Sequence, residues 1–510
     1  MALHPFLKIL ITIASGFLLS LSAPGYDFSF LAWIFLSPLF TIIINSKKLN
    51  EAVLHAFLFG FAYNLSCLHW VFSLHPLTWL GLSVKESYFV CVFSLIFVVV
   101  YSSLYFVIFA VVVSVFRSFL PTPYNRGFSS LLLITFFWLI IFNKLGSNSF
   151  LLGFPWTLVE YSQYKNLYLI QIAEYFGSIW ISFLIIFFNL TLANLLIYFL
   201  GRQKIGSRYL PNDPGLLNTV FQGFLFFAAL ILFSLFFGMS SVKNTSETFS
   251  SGSEFVSILQ GNLPTKTSRG KNPDIVISRK TYTNLLSNVH ERIIIAPEGS
   301  LPTVFIRDPA TQYWLKTKTR EKQSTLLFGT YCNDSKLTNC AVSFLDKPNK
   351  FLFYEKERLV PFGEYIPFYF LLPKPLKKFV DHAIGEGFSK GKQISPLETT
   401  HGKIGVNICF ELIFPEIVRK RTLTGANFLV NLSDLSWFSS SLVKKQFIAF
   451  GVFRAIENRK PVVIATNSGI SVFIDKSGRI KSQTKPDTES LLTDFINPNN
   501  KITFYARYGW

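Results

Sequence analysis

Charged residues are scarce in this 510-residue chain, at 15% for Asp, Glu, Lys and Arg together, which excludes a disordered polyelectrolyte and a fully soluble chain. Acidic residues are the scarcer sign, 29 against 48 Lys and Arg, for a net charge of +19. Such a balance raises the question of nucleic acid, but helix-turn-helix, zinc-finger and RNA-binding signatures are missing, so nucleic acid is not an expected partner. Cysteine is also sparse. Cys67, Cys91, Cys332, Cys340 and Cys409 are too few and too scattered for a disulfide scaffold or a zinc site, so neither a metal nor a cofactor is expected. No heptad or internal repeat stands out. Apolar residues fill the space left: half the chain is hydrophobic, 57 residues are Phe, and the mean hydropathy is +0.39.

That apolar content is unevenly placed. Residues 1–238 hold 11 Lys or Arg and 6 Asp or Glu, a net of +5, whereas residues 239–510 hold 37 and 23, a net of +14. The first part reads as a polytopic helical membrane domain and the second as a soluble domain, basic enough to lie against anionic headgroups. A helix needs roughly 20 mostly apolar residues to cross a bilayer. Seven stretches qualify: 5–22, 28–45, 53–74, 88–116, 128–143, 173–200 and 215–238. Lys47 and Lys48 follow the second, Arg117 and Arg126 the fourth, and Arg202, Lys204 and Arg208 the sixth. The opposite loops carry fewer cations, so the positive-inside rule puts the N-terminus in the cytoplasm and residues from about 239 onward on the far side, the periplasm of a two-membrane bacterium. Reading the first stretch as a cleavable signal peptide would leave six spans and break this alternation. Charge within the spans is sparse, which gives an ion or proton pathway little support.

From residue 254 the pattern changes to short β-rich runs: 255–260, 292–296, 325–329, 341–345, 351–354, 404–408, 428–431, 462–465 and 471–474. Residues 276–290, 308–322 and 441–459 have helical length and spacing. Almost wholly apolar strands alternating with crossover helices predict an α/β layered domain with its sheets covered by helices. Asp475-Lys-Ser-Gly478 reads as a hairpin turn. Cys332 and Cys340 flank a short polar stretch and would pair across a hairpin in an oxidising compartment, a pairing that spacing alone does not decide.

Three of these strands end in reactive groups, where a strand fixes the backbone and the following loop is free to carry chemistry. Ile293-Ile-Ile-Ala-Pro-Glu298 ends in a carboxylate, Phe351-Leu-Phe-Tyr-Glu-Lys356 in an ammonium, and Ile404-Gly-Val-Asn-Ile-Cys409 in a thiol. Taken singly, a cysteine of this kind is usually a small buried hydrophobe, and a Glu or Lys after a strand a solvated loop residue.

Taken together, the three resemble, in order and local sequence, the Glu-Lys-Cys triad of the nitrilase, or carbon-nitrogen hydrolase, superfamily. The spelling is more similar still to its membrane-bound branch, the apolipoprotein N-acyltransferases. The residues carrying the resemblance are Gln260-Gly-Asn262, Pro297-Glu298, Leu359-Val-Pro-Phe-Gly-Glu-Tyr-Ile-Pro367, Ile408-Cys-Phe-Glu411, Trp437-Phe438, Arg454-Ala-Ile-Glu457 and Ala465-Thr-Asn467-Ser-Gly469. It implies a fold of two parts: a helical membrane domain of about seven spans over 1–238, and a nitrilase-like αββα sandwich over 239–510 in the periplasm, at the bacterial inner membrane. Two features depart from the family pattern. Its Asn-Asp-x-Trp-Phe-Gly stretch stands here as Asp434-Leu-Ser-Trp437-Phe-Ser439, and many members have an eighth span after the catalytic domain whereas this sequence stops at Trp510.

The triad suits acyl transfer. A thiol of ordinary pKa is mostly protonated at neutral pH, so Cys409 needs a base, for which Glu298 is the candidate. Lys356, with the backbone N–H of Phe410, would face the oxyanion of the tetrahedral intermediate. The resemblance implies that Glu364 and Glu411 orient Lys356 and the Glu298 network. It also implies the substrates: a phospholipid as acyl donor, which leaves a thioester on Cys409, and the α-amino group of an N-terminal S-diacylglyceryl-cysteine on an apolipoprotein as acceptor. The enzyme would act as a monomer. The alternatives are a membrane-tethered amidase that hydrolyses a small C–N substrate and, less well supported, a transporter with an accessory domain.

Overall fold

The computed structural model describes residues 4–119, 127–147, 152–200, 204–205, 208–209, 214–245, 249–269, 273–333, 336–375, 377–378, 387–392 and 395–509. Arg126, Arg202 and Trp510, used above, lie outside the described residues. The chain forms two compact units: Met1–Phe72 with Val92–Ala173 and Gly177–Ser240, and Ser73–Cys91 with Glu174–Phe176 and Ser241–Trp510.

The first unit is helical. Its main helices are α1 (Pro5–Ser20), α2 (Ser37–Asn45), α3 (Leu49–Leu68), α4 (Val84–Phe119), α5 (Phe128–Trp138), α6 (Ile179–Leu200) and α7 (Pro214–Asn244), with the first turns of α4 and the last turn of α7 falling to the second unit. Among the described residues, five helical stretches are long and apolar enough to cross a membrane: Leu49–Leu74, Val84–Phe119, Phe128–Leu145, Ile179–Leu200 and Gly215–Lys243. At 36 residues α4 is about 54 Å long, well beyond a hydrocarbon core of about 30 Å.

The first two of the seven expected spans are shorter than predicted. α1 has 16 residues, and the stretch 28–45 is broken into the 3₁₀ turn Ser29–Trp33 and the nine residues of α2. Pro38 in the first turn of α2 is the local cause of the break. Asn189 on α6 makes it tolerable among apolar side chains. Its Oδ1 accepts from the Leu36 and Ser37 N–H groups at 3.1 and 3.0 Å, and its Nδ2 donates to the Ala32 carbonyl at 2.9 Å, replacing the lost helical bonds. Close packing does the rest. A Cβ on Gly16 would meet the Phe59 carbonyl at 2.5 Å, so α1 and α3 approach through that glycine, and Trp138 stacks on Phe142 at 3.8 Å amid Phe40, Phe106 and Phe109.

The second unit holds two six-stranded sheets. The first contains β1 (Glu254–Gln260), β2 (Ile293–Ile295), β3 (Thr325–Cys332), β4 (Thr338–Leu345), β5 (Lys350–Glu355) and, from the end of the chain, β12 (Ser490–Ile496), in the order β12-β1-β2-β3-β4-β5. The second contains β6 (Leu397–Thr399), β7 (Gly402–Ile408), β8 (Phe428–Ser433), β9 (Val462–Thr466), β10 (Val472–Ile474) and β11 (Ile480–Gln483), in the order β11-β10-β9-β8-β7-β6. Each sheet has three parallel central strands, β1-β2-β3 and β7-β8-β9, with antiparallel strands outside them.

Strand periodicity explains why the central runs are apolar throughout. Ile293 and Ile295 face the second sheet, in one core with Val256, Ile258, Ile404, Val406, Val430 and Leu432. Ile294 and Ala296 face the opposite way, onto α8 (Ile275–Ser287) and α9 (Pro309–Lys322), where they meet Leu285, Leu286 and Leu315. Helices α10 (Pro415–Leu423) and α11 (Ser441–Asn458) serve the second sheet, giving an αββα sandwich in which the central strands are buried on both faces.

Candidate active site

The expected residues sit just beyond the C-terminal ends of three strands. Glu298 follows β2, Lys356 is the first residue after β5, and Cys409 is the first after β7. Glu298, Lys356 and Glu364 form one buried cluster. Lys356 Nζ lies 2.9 Å from Glu364 Oε1 and 3.4 Å from Glu298 Oε1, with all three side chains about 1% exposed. Glu364 is further fixed by the Val360 N–H, which donates to its Oε2 at 2.8 Å.

Sequence reasoning missed Asn339, on β4. Its Nδ2 donates to Glu298 Oε1 at 2.6 Å and to Glu364 Oε1 at 2.9 Å, and its carbonyl accepts from the Lys356 N–H at 2.8 Å, so one residue touches all three. Its local sequence gives no signal, since it ends the polar stretch 333–339 next to the expected strand 341–345; only the structure sets it in a strand buried along almost its whole length, where a polar side chain needs a polar partner. One residue away, Cys340 forms a disulfide with Cys332 across the β3–β4 hairpin, Cα to Cα 5.9 Å, the pairing the sequence left open.

The second carboxylate oxygen of Glu298 ties this cluster to the Cys409 end of the other sheet. It accepts from the Asp434 N–H at 2.9 Å, and Asp434 follows β8 directly. On β7 beside it, Ile408 is level with Leu432, so Glu298 reaches the strand ends where Cys409 stands. Cys409 is half-buried and has φ +50°, a left-handed backbone conformation that costs a non-glycine residue about 1 kcal/mol or more. Its carbonyl is held by Asn431 Nδ2 at 3.1 Å, and a 3₁₀ turn, Cys409–Ile413, carries Phe410 and Glu411. Phe410 is buried, its ring edge-on to Phe414 at 5.1 Å.

Glu411 grips the peptide just after Lys356 and the one just before Cys409. Its Oε1 accepts from the N–H groups of Glu357 at 2.6 Å and Arg358 at 3.1 Å, its Oε2 from the Ile408 N–H at 2.7 Å, and both oxygens from Tyr354 Oη at 2.8 Å. The physical reason is position: the turn sets Glu411 beneath two strand ends whose N–H groups have run out of ladder partners. Burial pushes its carboxyl above the usual range, opposed by Arg421, the Ile408 N–H, Lys356 and the Tyr354 hydroxyl.

The other noted residues take supporting places. Gln260 Oε1 accepts from Ser471 at 2.7 Å and Thr484 at 2.8 Å. Asn467 bridges Asp434 and the Leu263 backbone, Arg454 pairs with Glu457 at 2.8 Å, and Trp437 meets Trp79 edge to face at 5.1 Å. Among the described residues no group of His, Cys, Asp and Glu is arranged to hold a metal ion.

Two family models match the chain: the apolipoprotein N-acyltransferase N-terminal domain over residues 15–191 and the carbon-nitrogen hydrolase domain over residues 292–500. Similar solved structures include a carbon-nitrogen hydrolase from Helicobacter pylori, 18% identical, covering 48% of this chain and 89% of its own, with a TM-score of 0.36. An apolipoprotein N-acyltransferase from Pasteurella multocida is 27% identical over 98% of this chain and 91% of its own length. One from Geobacter metallireducens is 30% identical over 98% and 91%. With both halves matched in order and a relative this similar aligned nearly end to end, the chain belongs to the apolipoprotein N-acyltransferase family.

Proposed function

We propose that this enzyme moves a fatty acyl chain from a phospholipid to Cys409, and from there to the α-amino group of an S-diacylglyceryl-cysteine at the N-terminus of an apolipoprotein. The observation that carries the reading is the Glu298–Asn339–Lys356–Glu364 cluster at the strand ends beside the Cys409 turn. Glu298 takes the Sγ proton as the thiolate attacks the ester carbonyl. Lys356 and the Phe410 N–H receive the oxyanion. Collapse expels the lysophospholipid alkoxide, which takes the proton from Glu298 and leaves an acyl thioester. The lipidated amine then attacks, Glu298 accepts its proton, and the thiolate departs as the amide forms.

The catalytic unit is assigned to the periplasmic side. Five crossings and seven are both odd, so either number carries residues after α7 to the side opposite a cytoplasmic N-terminus, and the Cys332–Cys340 disulfide suits an oxidising compartment. The test supplies purified enzyme in phospholipid vesicles with a diacylglyceryl-cysteine peptide. An N-acylated peptide together with lysophospholipid is the expected result. Release of free fatty acid at the same rate with or without the peptide would identify a hydrolase instead.

A further inference from the structure

Beneath the Cys409 turn lies a polar network that the acyl-transfer steps do not use. Arg421 on α10 is wholly buried and donates through Nη2 to Tyr354 Oη at 2.5 Å, with its guanidinium 4.7 Å from the Tyr354 ring centroid. The same Nη2 reaches Glu357 Oε2 at 3.1 Å, and Nε donates to the Val406 carbonyl at 3.2 Å. Tyr354 in turn donates to Glu411, which also accepts from the N–H of Ile408, the residue before the nucleophile, and from those of Glu357 and Arg358, the two residues after Lys356.

Building on the acyl-transfer reading, we propose that Tyr354 and Arg421 are positioning residues of the acylation site, acting through Glu411 to hold the backbones of Cys409 and Lys356 in register. Neither touches the reacting atoms. The nucleophile and the cation that meets its oxyanion follow strands of different sheets, β7 and β5, so no shared strand ladder fixes their separation. A single carboxylate gripping the peptide next to each does so, provided that it is ionised: a protonated carboxyl cannot accept from every one of these donors. Arg421 supplies the charge that favours ionisation in a buried place.

The groups facing Glu411 are Tyr354 and Lys356 from β5 and the loop after it, Arg421 from α10, and Glu357 beside Arg421, which also pairs with Lys420 at 3.4 Å. Burial already raises the Glu411 carboxyl and Arg421 pulls it down, so removing Arg421 raises it further. Protonation on the acid side then releases the grip, and activity returns as the pH rises through the new value.

The experiment measures the rate of Cys409 acyl-adduct formation against pH for the full-length enzyme in phospholipid vesicles. Arg421→Met is expected to move the acid limb upward by about one to two pH units, with the phospholipid KM unchanged. Arg421→Lys, which restores the charge, is expected to move the limb back. Tyr354→Phe keeps the ring and its packing, and is expected to lower the rate about tenfold with a shift of the same sign; it carries the test if Arg421→Met does not fold. A wild-type pH profile in Tyr354→Phe, or a profile in Arg421→Met scaled equally at every pH, would overturn the proposal. Absence of any adduct in the wild type would instead refute the acyl-transfer reading beneath it.

Discussion

Replacing Asn339 by Ala removes one neutral amide that serves two buried carboxylates at once. Glu298 Oε1 and Glu364 Oε1 then share a single cation, Lys356, which lies closer to Glu364 by 2.9 against 3.4 Å. The bond lost to Glu298 is short, at 2.6 Å, and a hydrogen bond to a charged group contributes about 1.5–3 kcal/mol. If that stabilisation holds Glu298 where it deprotonates the thiol, its loss slows acylation by about 10- to 150-fold. The Asn339 carbonyl, which accepts from the Lys356 N–H, stays in place, so Lys356 keeps its backbone anchor and the effect isolates the side chain. The assay is single-turnover formation of the Cys409 adduct, with the folded fraction checked by thermal unfolding. Asn339→Asp, which sets a third carboxylate beside two, should be slower than Asn339→Ala. A rate within twofold of wild type in Asn339→Ala would show that Glu298 is positioned without it.

Other predictions concern the frame around this cluster. Cys332→Ser opens a loop with a sequence separation of 8 and should cost about 2.5 kcal/mol of stability while acylation by folded enzyme persists, measured as unfolding midpoint and adduct rate on the same sample. A reporter fused after Thr245 should mark the periplasm and one near Lys204 the cytoplasm; a cytoplasmic signal after Thr245 would reverse the topology. Glu298→Gln and Lys356→Met should both lose acylation, but rising pH should partly rescue only the first, since hydroxide replaces a base and not a fixed cation. Equal pH profiles for the two would contradict the roles assigned to them.

The sandwich was legible where strands are buried on both faces, because Ile293-Ile-Ile-Ala and Phe428-Leu-Val stand out as short apolar runs between polar segments. The edges were not. Leu397–Thr399, Ile480–Gln483 and Ser490–Ile496 are mixed in polarity because much of their surface is exposed, and α10 is too short for its period to show. Nor was the break in the second membrane stretch, since its composition is that of a span and the bonds repairing it come from Asn189, about 150 residues later. Glu298, Lys356 and Cys409 were readable as strand-end residues. Asn339, Tyr354 and Arg421 were not, because their work depends on which strand ends meet, and pairing across two sheets is not written in local spacing.

The central claim is a covalent acyl intermediate on one thiol, and intact mass measures it directly. Wild-type enzyme held in phospholipid without acceptor should gain the mass of one fatty acid less one water, the added mass should map to Cys409, and it should disappear when a diacylglyceryl-cysteine peptide is added. Cys409→Ser under the same conditions should gain nothing. An adduct on another residue, or N-acylation of the peptide by Cys409→Ser at the wild-type rate, would contradict the account.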